Sequence, residues 1–139
     1  MQFNANIKQV NVIAPQVANG AATLTGSVDT LGFNFVNFAL DVQSNTTPAT
    51  TSYQIMQSDG ATGPWVAIPS SKITFSASAN GLAVWNISQS GGYDDRYLSL
   101  SGSQASGTAS VCAIASLGNP ELGVVTATDA GATVGWIQL

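Results

Sequence analysis

The stretch NFVNFALDV, residues 34–42, alternates with a period of two. Val36, Phe38, Leu40 and Val42 fall on one face of an extended chain, and Phe35, Asn37, Ala39 and Asp41 fall on the other. A helix would scatter the first set around its axis, whereas a strand gathers it on one face that a core must cover. Turn formers recur on either side of this stretch: Asn19-Gly20, Asp59-Gly60, Asn80-Gly81, Gly91-Gly92 and Asn119-Pro120 separate short apolar runs. The pattern predicts strands near residues 7–14, 22–28, 34–43, 52–58, 64–68, 72–77, 82–88, 96–101, 107–116 and 132–138. Tyr53 with Ile55, and Leu98 with Leu100, are the expected inward pairs, and Trp85 in LAVWNIS is expected in the core.

Ser, Thr, Asn, Gly and β-branched residues interrupt every window in which a helix would need Leu, Ala and Glu. ASVCAIASL comes nearest to a helix, and its Val and Ile favour a strand. Many short strands at spacings of about ten residues, with no helices between them, predict an all-β antiparallel β-sandwich, jelly-roll or Ig-like, with little or no helix. A chain of 139 residues is the size of one domain and can bury one modest core. The expected organisation is therefore a single sandwich domain over 1–139, with an N-terminal arm at 1–14 and a C-terminal tail at 122–139. Residues 43–52 and 117–132 read as polar connections.

Charged residues make up 7% of the chain, against about 25% in ordinary globular proteins. Ser, Thr, Asn, Gln and Gly must cover the surface instead, and such neutral faces cost little to desolvate against another protein. Three basic residues and a net charge of -4 exclude a nucleic-acid partner, because Lys8, Lys72 and Arg96 cannot form a phosphate-binding patch. No run approaches about 18 apolar residues, so no membrane span is expected. MQFNANIKQV lacks the basic end and apolar run of a signal peptide, which predicts synthesis in the cytoplasm. Cys112, the single cysteine, reads as a buried structural thiol.

The chain has no histidine, which removes Ser-His-Asp and Cys-His mechanisms and any zinc site of ordinary ligands. No catalytic residue, cofactor or metal is predicted. Paired carboxylates remain: Asp94 with Asp95, or Asp59 with Glu121 or Asp129. The simpler account has Asp94 and Asp95 solvating a loop, with one of them pairing with Arg96. Trp65, Tyr93 and Asp94 form a candidate sugar platform, although hairpin packing of Trp65 on Tyr53 or Ile55 is the more ordinary role. In QSDGATGPW the Asp59 side chain is expected to cap the turn and Gly60 to take a positive φ. Asn45-Thr46-Thr47 and Asn86-Ile87-Ser88 match glycosylation triplets by chance. Apolar residues near both ends, Phe3, Ile7 and Val10 and then Trp136, Ile137 and Leu139, are the predicted protein-interface set.

Four motifs carry a resemblance that runs from about Asp29 to Glu121. They are Asp29-Thr30-Leu31-Gly32-Phe33, Gln57-Ser58-Asp59-Gly60 with Trp65, Arg96-Tyr97-Leu98-Ser99, and Leu117-Gly118-Asn119-Pro120. In this order they resemble a small β-sandwich family of tailed-bacteriophage virion proteins. The resemblance implies a non-enzymatic head decoration, or cement, protein that binds the major capsid protein at the capsid surface, often as a homotrimer, and stabilises the head against internal DNA pressure. A carbohydrate-binding module or host-surface adhesin of the virion is the alternative. The low charge and the segment after Glu121 depart from the family pattern.

Overall fold

The computed structural model describes residues 7–89, 93–119 and 135–139, except for the side chains of Trp136 and Gln138. Strands account for the regular structure of the described residues, with no helix among them. In chain order they are β1 (Lys8–Asn19), β2 (Ala22–Asp29), β3 (Phe35–Gln43), β4 (Thr51–Ser58), β5 (Val66–Ala67), β6 (Ile73–Phe75), β7 (Gly81–Ser88), β8 (Tyr97–Gln104), β9 (Thr108–Gly118) and β10 (Gly135–Gln138). One sheet has the order β1-β9-β3-β7-β10; the other has β2-β8-β4-β5, with β6 also pairing β4. Up to β9 the pairing is nested: β1 with β9, β2 with β8, β3 with β7, and β4 with β5 and β6. This is one long antiparallel ribbon rolled into two facing sheets, which makes the sandwich a jelly roll rather than Ig-like.

The period-two reading of residues 34–42 holds. Val36, Phe38 and Leu40 are completely buried and Val42 nearly so, while their alternate neighbours are half-buried on the outer face. Tyr53, Ile55, Leu98 and Leu100 enter the same core from the other sheet. Trp85 is also fully buried, and its indole N–H donates to the Ser71 carbonyl at 2.6 Å, so the one polar atom of the ring is satisfied. Two glycines make room for close approach: a Cβ on Gly26 would lie 1.7 Å from the Val12 carbonyl oxygen of the facing sheet, and one on Gly102 would lie 2.3 Å from the ring of its cross-strand partner Tyr53. Tyr53 and Phe75 meet edge to face at 5.8 Å.

Several expectations are corrected. The strand expected at 7–14 begins at Lys8 and continues to Asn19, at the edge of its sheet. Pro15 is accommodated because the register breaks between Ile13 and Gln16 and, among the described residues, the strand has no partner on its outer side. Asn19-Gly20 is not a hairpin within one sheet: it carries the chain from β1 to β2, in the facing sheet. Cys112 is only half-buried, because Val111, Ala113, Ala115 and Leu117 take the inward parity of β9 and leave Cys112 on the outer face. Tyr97, next to the buried Leu98, is likewise half-buried. Asn45 and Asn86 are both buried, which removes them as accessible glycosylation acceptors. Within the tail expected at 122–139, Gly135–Gln138 forms β10, and residues 122–134 lie outside the described residues.

Candidate functional site

The four motifs converge at one end of the sandwich. Asp29 ends β2, and its Oδ1 accepts the Leu31 N–H at 3.0 Å, a local side-chain turn that stops the strand. The Phe33 N–H then donates to the Thr30 carbonyl at 2.9 Å, and Gly32, at φ 88°, fills the turn position that a side chain would strain. Arg96 approaches from the start of β8: its Nε and Nη2 donate to the two Asp29 carboxylate oxygens at 2.8 and 2.6 Å. Its carbonyl accepts the Thr30 hydroxyl at 2.6 Å and the Thr30 N–H at 3.0 Å. The expectation that Arg96 pairs with Asp94 or Asp95 is therefore corrected. Asp29 is the cross-strand partner of Tyr97, so the register places its carboxylate beside the guanidinium. The Arg96 hydrogen bonds, followed by the Leu31 N–H, hold the Asp29 carboxyl at about 2, below its ordinary 3.8.

The other two motifs brace the same corner. Asn119 accepts the Asn34 N–H at 2.8 Å and donates to the Gly32 carbonyl at 3.1 Å. Gln57 Oε1 accepts the backbone N–H groups of Asp94 and Asp95 at 3.1 and 3.4 Å. At Ser58-Asp59-Gly60 the capping side chain is Ser58, whose buried hydroxyl oxygen accepts the Gly60 N–H at 3.1 Å. Gly63, at φ 97°, takes the left-handed conformation expected of Gly60. Burial explains the exchange: the Ser58 oxygen needs a partner within reach, whereas Asp59 is exposed and already solvated.

These braces surround an open pocket of about 410 Å³, into which Asp59, Asp94 and Asp95 turn. Asp95 is raised above the ordinary aspartate range by loss of solvent, then by the charge and hydrogen bond of Asp59, and last by Asp94. The carboxylate pair is thus Asp59 with Asp95, while Glu121 and Asp129 lie outside the described residues. Among the described residues, no group of three His, Cys, Asp or Glu side chains could hold a metal ion.

Trp65, Tyr93 and Asp94 do not present a common face. Trp65 is half-buried with its ring against Gly63, and Asp94 is exposed. Tyr93 is only 3% exposed, its hydroxyl donating to the Phe33 carbonyl at 3.1 Å, and burial pushes the phenol up. Its ring is spent on packing and offers no stacking surface.

The terminal set divides between the two edges of one sheet. Ile7, just before β1, is exposed, and Val10 in β1 is half-buried against the core. At the other edge, β10 pairs parallel with β7, and Ile137 and Leu139 are half-buried against the core. The Leu139 N–H donates to the Asn86 carbonyl at 2.8 Å and its carbonyl accepts the Ser88 N–H at 3.1 Å. Phe3 and the Trp136 side chain lie outside the described residues.

Between these edges lies a surface that no motif signals. Registers across β1, β9 and β3 line up Gln9, Ser116 and Asn37 in one outward row, and Asn11, Ile114 and Ala39 in the next, while their β7 partners Asn86 and Val84 are buried. Ile114 is 42% exposed and Val17 65% exposed. Beside them Pro15, Val17, Ser110 and Cys112 line a groove of about 360 Å³ whose charged member is Asp41. The signal available in the sequence is the second parity of NFVNFALDV and of SVCAIASL, which is mixed rather than charged.

No protein-family model matches the chain, and no curated protein matches it. Among solved structures, PBSX exported protein XepA superposes with a TM-score of 0.58 at 13% identity, covering 86% of this chain and 39% of that one. This chain therefore spans 39% of the length of XepA, and the similarity is one of fold. Tobacco streak virus coat protein aligns at a TM-score of 0.41 with 9% identity, covering 91% of this chain and 95% of that one. A structure titled "CBM4 structure and function" aligns at 0.39 with 10% identity, covering 76% and 75% of the two chains.

Proposed function

We propose that the protein is a non-enzymatic virion structural protein of a tailed bacteriophage, a decoration or cement protein that binds the major capsid protein on the capsid surface. The observation that carries this reading is the outer face of the β1-β9-β3-β7 sheet. Its β1, β9 and β3 part presents Asn, Ser, Gln and small apolar side chains, with Ile114 and Val17 exposed. Such a face loses little on desolvation and gains from apolar burial; it needs roughly 1,000 Å² of total contact to hold a stable complex. Seated across a seam between capsid subunits, it adds association free energy that opposes pressure from packaged DNA. The fold shared with the phage PBSX exported protein and the order of the four motifs both suit this role. The glycan-binding alternative loses Tyr93 from its platform and is the weaker reading.

The test is binding of the purified chain to capsid shells that lack it. Co-sedimentation, with a higher temperature of DNA release from the bound heads, is expected. A folded chain that neither sediments with shells nor protects heads would overturn the proposal. Light scattering of the free chain, with a trimer expected, tests the accompanying proposal of three-fold seating.

A further inference from the structure

The nested pairing of the jelly roll closes at β9, so β10 is supernumerary: no strand of the ribbon needs it as a partner. It is also the one parallel strand among the described residues, and its main strand contacts are with β7 and then β6. Its seat is nevertheless shaped. Gly135 lies where a Cβ would stand 2.6 Å from Ile73 Cγ2, so the strand enters against the facing sheet at a position where a side chain would force Ile73 to shift. Ile137 pairs with Trp85, Ile137 and Leu139 pack on the core, and the Leu139 amide and carbonyl complete the ladder at Asn86 and Ser88.

Gly118 and Ser88 share a register level through Phe35, whereas Gly135 stands beside Ala83. From the end of β9 to the start of β10 is thus five residues along the sheet and three strands across, roughly 22 Å at about 3.3 Å per residue and 4.8 Å per strand. Residues 119–134 have more than twice that reach at about 3.3 Å per residue.

We propose that β10 is an exchangeable strand, and that the β7 edge of one copy accepts Gly135–Leu139 of a second copy of this chain. Contacts within the seat are the same in either arrangement, so chain separation and local concentration decide between them. The exchange links copies through backbone hydrogen bonds and leaves the outer face of the sheet free. It does not depend on what that face binds.

Val84 and Trp136 are register partners, so cysteines there report who supplies the strand. In a Cys112→Ser background, one chain carries Val84→Cys and another Trp136→Cys; the two are mixed, unfolded, refolded together at high concentration and oxidised. A disulfide-linked heterodimer containing the 84–136 peptide pair is expected. Folded chains that yield no such heterodimer would overturn the proposal. The second measurement needs no cysteine: light scattering of the unaltered chain should show mass rising with concentration, and Gly135→Val should abolish the rise by blocking the seat at Ile73. A chain that stays monomeric throughout, or a Gly135→Val variant that associates as well as the parent, also counts against the exchange.

Discussion

Arg96 holds Asp29 through two parallel N–H···O bonds of 2.8 and 2.6 Å, and so ties the end of β2 to the start of β8. The pair is partly exposed, with side-chain accessibilities of 45% and 35%, so water and salt screen it. Its contribution has a definite pH signature. The folded-state carboxyl lies at about 2 and the ordinary value is 3.8. A depressed folded value means the stabilisation is fully present above about 3.8 and is lost as pH falls towards 2. Asp29→Asn should therefore be modestly less stable than the parent at pH 6, with the gap in urea midpoint closing below pH 3.

Alkaline pH acts through Tyr53. Burial pushes its phenol from 10.0 up to about 12. A raised folded value means the neutral ring contributes stability that is fully present below pH 10 and lost as pH rises to 12. Tyr53→Phe should flatten the fall in thermal midpoint across that range. Tyr93, also raised by burial, should leave a residual slope of the same sign.

Gly26 separates crowding from backbone conformation. A Cβ there would meet the Val12 carbonyl oxygen at 1.7 Å, against backbone that cannot step aside. Gly26→Ala should cost about 3 kcal/mol or more. Gly20 has open space around it and a φ of 65°, so Gly20→Ala should cost only about 1 kcal/mol for the conformation. Urea titration of the two variants measures the difference.

Ser71 is a hidden junction. Its hydroxyl accepts the Ile55 N–H at 3.1 Å and donates towards the Ile68 carbonyl at 2.7 Å, while its own carbonyl takes the Trp85 indole. Ser71→Ala leaves the buried Ile55 amide without that partner and should cost about 1–3 kcal/mol. Denaturant unfolding followed by Trp fluorescence reads the loss.

Strand periodicity made the core legible, because parity is a local property: Val36, Phe38, Leu40, Tyr53 and Leu98 could be assigned inward from neighbours two residues away. The nested strand order was not legible, since a turn such as Asn19-Gly20 has similar chemistry whether it joins partners or crosses between sheets. The same limit hid the Arg96–Asp29 pair, which the chain separates widely and the register brings together. The four motifs were visible as a signature, but their physical role as braces at one corner depends on hydrogen bonds between distant segments. The outer face was not legible, because Ile114 sits mid-strand among small residues with no charge or motif to mark it.

The central claim is that the outer face of the β1-β9-β3-β7 sheet grips the capsid shell, and paired charge insertions test it most directly. Ile114→Asp places a charge in that face, and Val66→Asp places one on β5 of the opposite sheet, where Val66 is 58% exposed. Binding of both folded variants to undecorated shells should show at least a tenfold loss for Ile114→Asp, about 1.4 kcal/mol, and none for Val66→Asp. Full occupancy by Ile114→Asp, or equal loss in both variants, would contradict the account.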